Sequence, residues 1–104
     1  MHWYNGVAIF FGGAFLANSL PHLTNGISGR PFQTPFASPP GKGLSSSTIN
    51  VLWAFLNLWF AYVLLIDLGA FNVHNALQVV LFGAGTLLIS LFSARHFGQF
   101  HGGR

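Results

Sequence analysis

The chain has 104 residues, of which 52% are hydrophobic and only 5% charged: Arg30, Lys42, Asp67, Arg95 and Arg104. A soluble domain is normally about a quarter charged, so this composition excludes an ordinary water-soluble surface. The four bases are scattered, which argues against nucleic-acid binding. The absence of cysteine excludes disulfides, thiol catalysis and thiolate metal sites.

Three apolar stretches, Trp3–Leu23, Ile49–Leu68 and Val73–Ser93, dominate the chain, with every fixed charge outside them or at an edge. Each is about 20 residues long, so as a helix rising ~1.5 Å per residue it spans the ~30 Å hydrocarbon core of a bilayer. The expected fold is all-α. It is a single-domain integral membrane protein with transmembrane helices at about 3–23, 49–68 and 73–97, the second and third forming a tight antiparallel hairpin.

The first span opens on MHWYNG with no Lys or Arg ahead of the apolar run. A cleavable signal peptide lacks its basic n-region here, so the span is expected to stay as a helix. Its last turn carries Asn18, Ser19, Pro21 and His22, and Pro21 has no N–H for the helix ladder. A kink or unwinding is expected there.

The connection 24–48 is rich in Gly and Pro, including Pro31, Pro35, Pro39 and Pro40, which argues against regular structure. It also holds Ile27, Phe32, Phe36 and Leu44, more apolar bulk than a solvated linker needs. The expectation is a segment lying along the membrane interface, or docking on another protein through Arg30, Phe32 and Phe36. PPGKGLSSS fails as a phosphate loop, because Phe36 stands at the first Gly position and Gly43 follows Lys42. The PxxP spacing of Pro31 and Pro35 is adequately explained by a Pro-rich loop.

The second span is expected to start after hydroxyl caps in Ser45–Thr48 and to end at Gly69. Asn72 is the expected cap of the third span, four residues or so later. With three spans, the loop and the C-terminus share one side of the membrane. Arg30, Lys42, Arg95 and Arg104 all fall on that side and none on the other, which makes it cytoplasmic by the positive-inside rule. The N-terminus and Asp67 then lie outside. Trp3, Tyr4, Tyr62 and Phe71 fit the outer interface, and Trp53, Phe97 and Phe100 the inner one. Trp59 falls near mid-membrane and reads as a packing residue.

Each span has sides. The third carries Asn75, Gln78, Phe82, Gly85, Thr86, Ile89, Ser93 and His96 on one face, against Val80, Leu81, Leu87, Leu88 and Leu91 opposite. The second has a stripe of Asn50, Ala54, Asn57, Ala61 and Leu64. The first shows two small-residue faces: Asn5, Ala8, Gly12, Ser19 and His22 on one, Gly6, Gly13 and Ala17 on the other. Small residues let helix backbones approach, and amides seek partners across helices. The stripes are expected to hold the three helices together; the alternative is that one face of the first span packs the hairpin and the other a second copy or a different membrane protein.

Five histidines complete the inventory. His22 and His96 lie on small or polar faces at similar depth, so they are the candidates for a haem or quinone contact. Interfacial bonding to a freed carbonyl or to Asn18 is the plainer role for His22. No HxxxH or HxxH pair occurs, and Asp67, the one acid, lies at a membrane edge. Coupled transport and hydrolysis both lack their groups. The expected function is a non-catalytic subunit that packs against a larger membrane complex, with the bilayer and other subunits or copies of itself as partners. The alternatives are a homo-oligomeric channel or uncoupled carrier lined by Asn57, Gln78, Thr86 and Ser90, and a haem- or quinone-binding anchor.

Overall fold

The computed structural model covers Met1–Arg104 and is mostly helical. Helix α1 spans Trp3–Ile27, and strands β1 (Phe32–Gln33) and β2 (Leu44–Ser45) form a small antiparallel ladder. Helix α2 spans Ser47–Tyr62 and runs on as a π-helical turn, Val63–Leu68; α3 spans Ala76–His101. All three helical segments are long and apolar enough to cross a bilayer.

Helix α1 is the middle of the bundle. It packs extensively against both α2 and α3, whereas α2 and α3 barely approach each other. The tight pairing expected of the last two helices is therefore corrected. Their connection is short, but α1 separates them. Glycine makes this possible on both sides. A Cβ on Gly12 would lie 2.6 Å from the Leu65 side chain, and one on Gly26 would lie 2.8 Å from the Ser47 carbonyl. On the other side, a Cβ on Gly13 would lie 2.5 Å from the Phe82 carbonyl, and one on Gly85 would overlap the backbone of Phe10.

Both small-residue faces of α1 are thus consumed inside the chain, one by α2 and its π turn, the other by α3. The stripes hold the three helices together, as expected, and the alternative of a spare face on α1 for a partner is not met. Ala17 and Ala61 are buried with them. The π turn widens the helix, which keeps Leu65 and Gly69 in line with Ala61 on the side facing α1. At Gly69, Cβ would lie 2.7 Å from Ile9. The glycine is needed there for close approach, since the positive φ of this turn belongs to Ala70.

Pro21 does not unwind α1, which continues to Ile27. The last turns are held from outside: Gly26 lets α2 approach, and His22 is bonded to α2. Asn25 Nδ2 donates to the Pro21 carbonyl at 2.8 Å, and Ser19 Oγ to the Leu16 carbonyl at 2.6 Å. The caps also differ in detail. Ser46 Oγ accepts from Ile49 N at 3.2 Å, within the expected cluster. Asn75, not Asn72, caps α3 by accepting from Gln78 N at 3.1 Å. Asn72 instead accepts from His74 N, and its own N–H donates to Gln78 Oε1 at 2.7 Å. Gln78 therefore closes the turn between the helices. Trp59 is 59% exposed, so it faces outward and does not pack inside the bundle.

Candidate functional site

The connection between α1 and α2 has little regular structure, as its Gly and Pro suggest, but it is folded onto the helices. Phe32, Gln33 and Thr34 are buried, and β1 pairs with β2 so that Phe32 faces Ser45 and Gln33 faces Leu44. Phe32 is thus committed to its own bundle and is not a docking residue. Its ring lies 4.6 Å from that of Phe97 and stacks on His101 at 5.1 Å. Phe36 stays exposed, edge-on to Trp53 at 5.0 Å, and Arg30 is exposed with its Nε donating to Asn25 Oδ1 at 3.1 Å.

Asn50 ties this segment to two helices. From the first turn of α2, its Nδ2 lies within hydrogen-bond distance of the carbonyls of Phe32 (3.1 Å), Ser45 (3.2 Å) and Ser46 (3.0 Å). That surplus of acceptors orients the amide, so Oδ1 faces His22 Nδ1 at 2.7 Å and accepts from it. The tautomer of His22 follows from the network. Nδ1 carries the proton and Nε2 is left with its lone pair.

Beside this network lies a cavity of about 140 Å³, walled by Asn18, His22, Gln33, Thr34, Trp53, His96 and Phe97 among others. Three side chains on its wall each keep a polar atom that takes no partner from the chain and is not sealed off: His22 Nε2, Asn18 Oδ1 and Gln33 Nε2. Their opposite ends are all engaged. His22 Nδ1 is on Asn50, Asn18 Nδ2 donates to Asn57 Oδ1 at 3.0 Å, and Gln33 Oε1 accepts from His101 Nε2 at 2.9 Å. Trp53 adds a buried indole N–H with no acceptor. Buried polar groups are normally satisfied. Here one end of each side chain is fixed by the fold while the other is left free, which is how a site holds its groups in position.

His22 and His96 do share this wall, as their depth implies. Their roles differ. His96 Nε2 donates to the Gly41 carbonyl at 2.7 Å and the ring stacks on Phe92, so it ties the loop to α3. The cavity is much smaller than a porphyrin, and with His96 Nε2 engaged only His22 offers a free ring nitrogen in the haem sense. No group of three or more His, Asp or Glu side chains converges anywhere in the chain.

Asn57 and Thr86, two of the expected packing residues, are bonded at the bundle centre. Asn57 Nδ2 donates to the Trp53 carbonyl at 2.8 Å, and Thr86 Oγ1 lies 2.9 Å from the Phe82 carbonyl and 3.3 Å from that of Gly13. Gln33, Thr34 and Trp53 were not singled out as site residues from the sequence. The usable signal was a pair of polar residues, Gln33 and Thr34, enclosed between Pro31 and Pro35 in a segment otherwise rich in apolar bulk. Comparison with protein-family models, with curated proteins and with solved structures finds no match to this chain.

Proposed function

We propose that this chain is a non-catalytic integral membrane protein that binds a small uncharged ligand in the cavity around His22. The observation that carries this reading is the set of three free polar atoms on one cavity wall, each belonging to a side chain whose other end is anchored. Nothing on that wall is charged, and no acid lies near enough to His22 to form an acid–base pair, so binding is better supported than catalysis. The four bases gather at the loop end, since His96 and His101 of α3 bond to Gly41 and Gln33 of the loop. That gathering supports a cytoplasmic loop end and an outside N-terminus by the positive-inside rule.

The test is purification from native membranes in mild detergent, with mass spectrometry and an absorption spectrum on the same sample. We expect one uncharged small molecule per chain, lost from His22→Phe. A native protein carrying none, or a variant carrying the same molecule, overturns the reading. A second reading, a subunit of a larger membrane assembly, is favoured by α3, whose apolar window is only 11% buried. It predicts co-purification of a partner through the α3 surface around Leu87 and Leu91.

A further inference from the structure

The cavity has a neighbour that narrows what it takes. A second recess of about 270 Å³ is lined by Phe11, Ala14, Phe15, Asn18 and Ile89. Asn18 belongs to both walls, so a polar chamber and an apolar crevice meet at one side chain. Phe11 beside it is 49% exposed on the surface of α1, where a membrane-spanning helix meets lipid. A molecule filling both has a polar head and an apolar tail.

The head is constrained by charge, size and bonding. No Lys, Arg, Asp or Glu lines the chamber. An anionic or cationic head would enter without a counter-charge, which is costly, and this rules out a phosphate head group. The volume is that of a single ring, since a cavity of about 150 Å³ is known to hold benzene. The wall is ring-rich: His22 lies edge-on to Phe97 at 6.1 Å and to Trp53 at 6.3 Å. Edges and faces so arranged favour a planar aromatic guest. Finally, His22 Nε2 and Asn18 Oδ1 are acceptors and Gln33 Nε2 a donor, so the ring must carry a group that both donates and accepts.

We propose that the loop-end cavity binds the hydroxylated ring of a neutral membrane amphiphile, of the phenol or hydroquinone class. Its hydroxyl donates to Nε2 of His22, and its tail lies along Phe11, Ala14, Phe15 and Ile89. This deepens the ligand-binding reading and rests on it. No electron transfer is involved. The reduced ring is favoured because only a hydroxyl has a proton to give to the lone pair that Asn50 leaves on His22.

The test uses full-length protein in nanodiscs under anaerobic conditions, with protein-free discs subtracted for partitioning. The probes are a benzohydroquinone with a ten-carbon tail, its oxidised quinone, and untailed benzohydroquinone. We expect saturable one-to-one binding of the tailed hydroquinone, at least tenfold tighter than the quinone, and lost in His22→Phe. Ala14→Phe, which narrows the crevice and removes no polar group, should weaken the tailed probe at least tenfold while leaving the untailed one nearly unchanged. It keeps the test decisive if His22→Phe misfolds. Absent saturable binding, equal affinity for the oxidised form, or indifference to Ala14→Phe overturns the proposal. If those probes fail while native membranes yield a different His22-dependent ligand, this inference falls and the ligand-binding reading stands. If native membranes yield none, both fall.

Discussion

The middle of the bundle and its loop end use the same kinds of side chain to opposite ends. At the centre, Asn18 meets Asn57, Asn57 returns to the Trp53 carbonyl, and Thr86 reaches across to Gly13. Glycine brings the backbones together there, and the polar groups close on each other. At the loop end, His22 and Gln33 are anchored on one side only, as Asn18 is, and all three line a cavity. A polar residue in an apolar helix is therefore not by itself a functional signal. What distinguishes the two regions is whether both ends of the side chain are used.

The largest expected effect comes from the glycine contacts. In Gly85→Leu the new side chain competes with the backbone of Phe10, which cannot retreat without parting α1 from α3. Overpacking of this kind should destabilise by about 3 kcal/mol or prevent folding, measured by denaturant titration in micelles. Gly83→Leu, two residues away with nothing within 4 Å, should leave the midpoint unchanged. Equal effects at the two sites would break the picture of α1 wedged against α3.

Next is Asn50→Leu, which strands His22 Nδ1–H and the carbonyls that share Nδ2. At about 1–3 kcal/mol for a buried group left unpaired, the loop should detach before the helices do. The readout is trypsin cleavage after Lys42, expected to accelerate tenfold or more while helical content is retained. An unchanged cleavage rate would show that the apolar contacts of Phe32 suffice to hold the loop.

Those two sites also mark where sequence reasoning succeeded and where it ran out. The spans, the polar stripe of α2 and both small faces of α1 were legible, because helical periodicity and residue size are local properties. The stripe Asn50, Ala54, Asn57 and Ala61 is buried as the projection requires. What each face packs against was not legible: nothing local to Gly12 and Gly13 says that Leu65 and Phe82 meet them. Pro21 misled for a related reason, since contacts at His22 and Gly26 offset the lost ladder bond. The loop's lack of regular structure was legible, because Gly and Pro content reports the lack of a long repeating ladder. It does not report burial, and Phe32, Gln33 and Thr34 are buried by long-range contacts with α3 and α2. His22 and His96 were correctly placed together. Only the network through Asn50 reveals which of them keeps a free nitrogen.

The smallest expected effect is the sharpest test of that distinction. Asn57 has both amide ends engaged, on Asn18 and on the Trp53 carbonyl, so Asn57→Leu should cost about 1 kcal/mol of stability, the usual scale for a polar contact between apolar helices. The substitution also frees the Asn18 amide, so binding in the cavity should weaken modestly. Asn18→Leu loses the same interhelical bond but also removes Oδ1 from the wall, so it should cost a similar stability and weaken ligand binding as well. A double-mutant cycle on the pair isolates the shared bond, since the stability losses should not add, whereas the larger binding loss should follow Asn18. Flux through liposomes abolished by Asn57→Leu would instead mark the central amides as a conducting path. The free-end criterion would then fail in the region where it assigns structure only.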